Sequence, residues 1–386
     1  MKKILFIVDA IDNGGVGVVL RNLLKFIDKN KYRIDVLTFE KNDVYERLMP
    51  KEVSIRHLYN NNPAKSKSRI KRYAYSVLKN VLPRWFIRFF AIKDKYDLAI
   101  DFKGNNLNVL VTAKCPRVFW SHKDFSTETN LVEKEMVETY SKTNRGTFKD
   151  RIFKKQINQL NHIVCISNYT KNAFIDRWHP NIPISVVHNV IDSESVIEKS
   201  KEEIEYKKPL NKIVFCCVSR ISKGKGIERL LECVEELNQQ GFLFELNIVG
   251  GGDAFNDIKC KFDLMNLPNV KLLGNKDNPF PFLRESDIFV CPSETECYST
   301  VLCEAISLGK PVIMTNVGAS EEIMSFGNFG LLVSNSKDGV FFGMKTFLEK
   351  PQLIKTFSNN FDLGDSPFDT RKNVNEAETL IDSLLC

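Results

Sequence analysis

The stretch 287–320, DIFVCPSETECYSTVLCEAISLGKPVIMTNVGAS, leaves the chain few folding options. A short apolar run, DIFVCPS, passes through a polar turn holding Glu294 and Glu296 into an apolar helix from about Thr300 to Leu308, and a second run, PVIMT, follows. That is one β-α-β unit, and strands joined by such a crossover lie parallel. The same alternation opens the chain, where KILFIVD, the loop AIDNGGVG and the helix VVLRNLLKFI precede the strand YRIDVLTF. It returns in NKIVFCCVSRISKGKGIERLLECVEEL, whose helix gathers Ile227, Leu230, Leu231, Val234 and Leu237 on one face. Since 386 residues exceed a comfortable single core, an α/β chain of two domains is expected.

Glu296 falls in the loop before the 300–308 helix, and Glu304 in its second turn. In a doubly wound sheet a ligand sits beyond the carboxyl ends of the strands. Ser299 or Thr300 can cap this helix, whose first amides then form an anion site. A phosphate ester on those amides, with sugar hydroxyls donating to the two carboxylates, suits a sugar nucleotide. The plainer alternative leaves Glu304 as a solvated helix residue, although Leu302, Cys303, Ala305 and Ile306 around it are apolar.

A cationic locus follows the strand IVFCCV, where Arg220, Lys223, Lys225 and two glycines read as a phosphate clamp. Arg binds two oxygens in a fork, Lys supplies a point charge, and glycine permits close backbone approach. No Walker loop is present. Gly14, Gly15 and Gly17 invite a dinucleotide reading, but Leu20 occupies the third glycine position of G-x-G-x-x-G.

E-C-Y-S-T-V-L-C-E-A, followed by G-K-P-V-I, resembles the E-x7-E signature of retaining glycosyltransferases of family 4, with Cys297 replacing the usual glycine and Tyr298 the usual phenylalanine. The resemblance covers nearly the whole chain, most strongly from about 213 to 333. It implies the GT-B fold, in which two Rossmann-like doubly wound domains face a central cleft. Residues 1–193 would form the acceptor-binding domain, 194–370 the nucleotide-sugar-binding domain, and 371–386 a C-terminal helix crossing back onto the first domain. The lysine- and glutamate-rich stretch Ser193–Lys208 reads as the linker.

The resemblance also implies roles. Arg220 and Lys225, with the amides of Ser299 and Thr300, would bind the donor diphosphate, Glu304 the ribose hydroxyls, and Glu296 the donor sugar. Gly15, Gly250, Gly252 and Asn275 would lie along the donor, while Cys297 and Tyr298 would narrow its pocket. His122 would face the reacting centre from the opposite domain, completing a catalytic set of His122, Glu296, Arg220 and Lys225. No Asp-x-Asp occurs in the sequence, so no metal and no cofactor beyond the co-substrate is expected.

Ten scattered cysteines without a CxxC pair, beside five histidines, suggest neither a zinc site nor a disulfide framework, and reduced thiols in a cytoplasm fit. The N-terminal run Ile4–Val8 is too short for a secretory leader and reads as a strand. Charge is uneven: residues 1–200 hold 35 Lys and Arg against 21 Asp and Glu, and the remainder 20 against 27, so the first half meets something anionic. Residues 65–95 carry ten basic residues and one acid, Asp94, interleaved with aromatics. Lys67, Arg69, Lys71, Arg72, Arg84, Trp85, Arg88 and Phe89 would then contact an anionic membrane surface. The alternative is a helix pair with its aromatics in the core. No nucleic-acid motif accompanies the stretch.

These features together read as a metal-independent, retaining glycosyltransferase, peripheral on the cytoplasmic face of the plasma membrane. Its donor would be a nucleotide diphosphate sugar and its acceptor a lipid-linked glycan of bacterial surface-polysaccharide assembly. The rival readings are a non-catalytic sugar-nucleotide-binding subunit and a GT-B-like sugar-nucleotide epimerase.

Overall fold

In a computed structural model of the chain, residues 1–12, 14–59, 92, 94–104, 106–126, 148–325, 329–360 and 369–385 are described. Two compact units emerge, Met1–Val190 with Arg371–Cys386, and Ile191–Thr370. The proposed membrane residues Lys67, Arg69, Lys71, Arg72, Arg84, Trp85, Arg88 and Phe89 lie outside the described residues. Among those that are described, no helix is long and apolar enough to cross a membrane.

The first unit is built on strands β1 (Lys2–Val8), β2 (Tyr32–Glu40), β3 (Ser54–Tyr59), β4 (Leu98–Asp101), β5 (Arg117–Ser121), β6 (His162–Cys165) and β7 (Ile184–Val186). They form one sheet in the order β3-β2-β1-β4-β5-β6-β7, and every pairing is parallel. Ile4, Leu5, Phe6 and Ile7 on β1 have no exposed surface, as expected of a central strand covered on both faces. Strand order reverses between β1 and β4, the switch point of this sheet.

The second unit repeats the plan with β8 (Ile213–Val218), β9 (Phe244–Val249), β10 (Val270–Gly274), β11 (Ile288–Cys291), β12 (Val312–Thr315) and β13 (Gly330–Val333). The order β10-β9-β8-β11-β12-β13, again parallel throughout, puts its switch point between β8 and β11. Phe215, Leu230, Leu231, Val234, Ile248 and Val290 lie in its apolar core.

Two boundaries differ from the sequence reading. Ser193–Ser200, expected as linker, is a helix of the second unit, and the units divide before Ile191. The Asp192 carboxylate accepts from the Ser195 amide at 3.1 Å and caps it, Val196 is buried, and the hydroxyls of Ser193 and Ser307 lie 3.1 Å apart. A helix over Thr370–Leu385 belongs to the first unit from Arg371 on, burying Val374, Ala377 and Ile381. Glu378 Oε1 accepts from the Asp28 amide at 2.6 Å, Asn373 Nδ2 donates to Asn189 O at 3.1 Å, and the Tyr32 hydroxyl donates to Asp382.

Candidate active site

The second unit gathers its chemistry at the carboxyl ends of β8 and β11. The loop after β8 runs from Ser219 to Gly226, where the helix Ile227–Gln239 begins. Gly226 has φ +67°, and a Cβ there would lie 1.8 Å from Pro292 O, so only glycine lets this loop reach the one after β11. Glu294 N donates to Gly224 O at 2.8 Å and ties the two loops together. Lys225 Nζ then reaches Glu296 Oε1 at 2.6 Å, and the Ser293 hydroxyl donates to the same oxygen at 2.9 Å.

Lys225 and Glu296, assigned to different parts of a ligand, therefore hold one another. Both side chains are mostly buried, at 22% and 15% exposure, so the pair is screened less than a surface ion pair. Arg220 differs: it is exposed one residue past Ser219. It forms no ion pair with the described residues. Lys223 is also exposed.

Ser299 is the N-cap of the helix Thr300–Ser307, its hydroxyl accepting from Leu302 N at 3.3 Å. The first amides of that helix are consequently directed outward from its N-terminus. Glu304, one turn on, is half-buried, and burial pushes its carboxyl up to about 8 against the opposing charge of Lys199. The Leu308 amide donates to the backbone carbonyl of Glu304 at 3.3 Å, but no described residue donates a hydrogen bond to its carboxylate. That environment does not match a solvated helix residue.

Tyr298 is buried, and Cys297 is half-buried beside it. Gly318 has φ +57° and sits so tightly under this turn that a Cβ would meet Glu296 O at 1.6 Å. Gly250 and Gly252 follow β9 in close packing against Ser219 O and Ile221 O. Asn275 is exposed after β10, against Gly251. The structure thus brings Lys225, Glu296 and the capped helix to one switch point, with Gly250 and Gly252 supporting the loop that carries Arg220.

In the first unit, His122 follows β5 with its ring centroid 4.6 Å from that of Phe102. Burial and the neighbouring Lys103 lower its pKa to about 3, so the imidazole is neutral. Its buried Nε2 has no hydrogen-bond partner among the described residues. Lys103 Nζ lies 3.8 Å from Asp12 Oδ2. Asp101 at the end of β4 accepts from Gly104 N at 3.0 Å and Asn106 N at 2.7 Å, fixing this turn. Gly15 starts the helix Gly15–Phe26, exposed, while a Cβ at Gly17 would meet Asp12 O at 2.2 Å. His122, Asp12 and Gly15 follow β5 and β1, around this unit's switch point.

Residues the sequence reading missed are Ser293, Arg229 and Asn335. Arg229 Nε and Nη2 donate to the carbonyls of Pro292 and Ser293, and Nη1 to Asn335 Oδ1. In IERLL an arginine between two core positions resembles any solvated helix residue, and no motif marks it.

Two parallel doubly wound units, one with a lysine, two carboxylates and a capped helix N-terminus at its switch point, have the architecture of the GT-B fold. Two family models cover the chain in succession, Glycosyltransferase Family 4 over residues 13–195 and Glycosyl transferases group 1 over residues 198–361. The chain belongs to glycosyltransferase family 4.

Among similar proteins is the N-acetylgalactosamine-N,N'-diacetylbacillosaminyl-diphospho-undecaprenol 4-alpha-N-acetylgalactosaminyltransferase of Campylobacter jejuni. It is 29% identical over 195 residues, which are 50% of this chain and 52% of that protein. The capsular polysaccharide biosynthesis glycosyltransferase CapM of Staphylococcus aureus is 32% identical over 36% of this chain and 37% of its own. The chain spans about half the length, or less, of these curated relatives. Among solved structures, Anabaena HepE in complex with UDP and glucose superposes with a TM-score of 0.74 at 20% identity, covering 99% of this chain and 100% of that one. At that identity the likeness establishes the fold.

Proposed function

We propose that the chain is a retaining glycosyltransferase that moves a sugar from a nucleotide diphosphate sugar to an acceptor hydroxyl, without a metal. The observation that carries this reading is the Lys225–Glu296 contact of 2.6 Å beside the helix capped by Ser299. It sets a cation and an anion site next to a carboxylate that can accept from sugar hydroxyls. Lys225 spends one of its three N–H groups on Glu296 and has donors left for a phosphate oxygen.

As the glycosidic bond breaks, negative charge grows on the leaving diphosphate. Lys225, Arg220 and the amides at Thr300 bind that charge more strongly than the substrate's, which lowers the barrier. Glu296 orients the donor sugar, and Glu304 accepts from ribose hydroxyls. Neither carboxylate is assigned as a covalent nucleophile; a leaving-group phosphate oxygen takes the acceptor proton on the same face of the sugar. His122, neutral, offers a hydrogen bond rather than a charge in the first unit.

The acceptor we propose is a lipid-linked glycan of bacterial surface-polysaccharide assembly, reached from the cytoplasmic membrane face. The names of the Campylobacter and Staphylococcus relatives support this class. The basic first half supports attraction to anionic lipid.

Radiolabelled UDP-, GDP- and ADP-sugars, incubated with and without a polyprenyl-diphosphate-linked acceptor, test the reading. Label should enter the lipid extract only when acceptor is present. Release of free sugar without acceptor would indicate an epimerase-type enzyme, and binding without turnover a non-catalytic subunit. Activity should persist in EDTA; loss that Mn²⁺ restores would overturn the metal-free proposal.

A further inference from the structure

Three consecutive carbonyls, those of Pro292, Ser293 and Glu294, lie in the loop between β11 and the helix Thr300–Ser307, where neither a sheet ladder nor a helix supplies donors. Side chains from elsewhere in the second unit satisfy all three. Arg229 Nε donates to Pro292 O at 2.7 Å and Nη2 to Ser293 O at 2.8 Å, while Asn335 Nδ2 donates to Glu294 O at 3.1 Å. Arg229 Nη1 in turn donates to Asn335 Oδ1 at 2.9 Å, so the two side chains brace each other. The Thr315 hydroxyl adds a second donor to Ser293 O at 2.5 Å.

The braced segment leads straight to the donor-side carboxylate. Ser293, whose carbonyl Arg229 holds, donates its hydroxyl to Glu296 Oε1. The arginine sits in the first turn of the helix that starts after Lys225, the other partner of Glu296. One rigid, planar guanidinium thus links the origin of the lysine to the loop that carries the glutamate. A lysine at 229 would present a single ammonium and could not span three acceptors.

We propose that Arg229, seconded by Asn335, is a positioning residue for donor-sugar recognition. It does not touch the donor; it fixes the backbone of Pro292–Glu294 so that Glu296 meets the sugar. This rests on the reading of Glu296 as the donor-sugar residue. A misplacement of about 1 Å in such a group costs on the order of a hundredfold in turnover. The defect should appear with the sugar and not with the nucleotide alone.

The experiment compares Arg229→Gln, Arg229→Lys, Asn335→Ala and Glu296→Gln with the wild type by calorimetry. The probes are UDP with UDP-glucose and UDP-N-acetylglucosamine, GDP with GDP-mannose, and ADP with ADP-glucose, using the pair the wild type binds most tightly. Arg229→Gln should keep its nucleoside diphosphate affinity within about twofold, lose the added affinity contributed by the sugar, and turn over about tenfold to a hundredfold more slowly, as Glu296→Gln does. Arg229→Lys should fall between it and the wild type, and Asn335→Ala should show the same selective loss in milder form. If Arg229→Gln does not fold, Asn335→Ala carries the test.

Loss of nucleotide and sugar nucleotide affinity in equal measure, or wild-type binding and turnover with only a lower melting temperature, would overturn the positioning role. An unaffected Glu296→Gln, or a wild type that binds none of the pairs, would instead overturn the underlying reading of the site.

Discussion

Lys225 and Arg220 occupy one loop but stand in different surroundings, and their replacements should separate accordingly. Removing Lys225 leaves Glu296 half-buried with only the Ser293 hydroxyl on the shared oxygen, so Lys225→Ala should lower both activity and stability. Arg220 is exposed, and Arg220→Ala should leave the melting temperature in place. Both should cut turnover by about a hundredfold, the usual loss when a donor to a developing anion is removed. Steady-state kinetics beside thermal unfolding checks this; activity of both variants near wild type would remove the clamp assignment.

Glu304 makes a pH prediction. Its carboxyl, raised to about 8 by burial, holds a proton in the folded state that the unfolded chain has released above the ordinary value of 4.5. Its contribution to stability is therefore full below about 4.5 and is lost as pH rises towards and through about 8. Urea unfolding at pH 5 and pH 8.5 should show a smaller decline for Glu304→Gln than for the wild type. If ribose hydroxyls donate to the ionised carboxylate, nucleotide binding near pH 7 should also release a proton, and the heat of binding should depend on the buffer's ionisation enthalpy.

At the level of elements, strands β1, β2, β8, β11 and β12 and the capped helix were legible because their signals are local: apolar runs of four to nine residues and a serine before an apolar helix. The helix Ser193–Ser200 was not. Its buried positions are Ser193, Val196 and Ser200, correctly spaced for one helix face, but two of the three are serines and leave no hydrophobic period to read. Arg229 escaped notice for a related reason, since its carbonyl partners come from 63 and 64 residues away. Glycine was legible as loop but not as a contact. Gly226→Ala would combine a left-handed backbone with a Cβ 1.8 Å from Pro292 O, and so should cost about 2 kcal/mol or more. Urea denaturation should show that loss, with weakened donor binding beside it. Stability within about 0.5 kcal/mol of the wild type would mean the two loops are not interlocked as described.

Across the molecule, charge counts gave the asymmetry between the halves, whereas assignment of the C-terminal helix to the first unit rested on the family resemblance. The structure supplies its physical basis: Val374, Ala377 and Ile381 bury one face, and Asn373, Glu378 and Asp382 bond to Asn189, Asp28 and Tyr32. Deleting residues 371–386 should therefore destabilise the first unit and spare the second. Hydrogen exchange should show lost protection in β1 and β2 with β8 and β11 unchanged; uniform loss in both units would contradict this division.

That helix also sets an order of events during synthesis. The first unit begins the chain and yet is completed by residues made only after the whole of Ile191–Thr370. The contacts of Asp28 and Tyr32 span 350 residues of sequence, so they cannot form while the ribosome is still translating the second unit. The interrupted unit must wait, with the surfaces meant for Ala377 and Ile381 uncovered, while the continuous one is free to fold as it emerges. A chain cut short within Ile191–Thr370 would leave the first unit without the helix that seals it, so proteolytic quality control would recognise such a product by the interrupted unit and not by the continuous one.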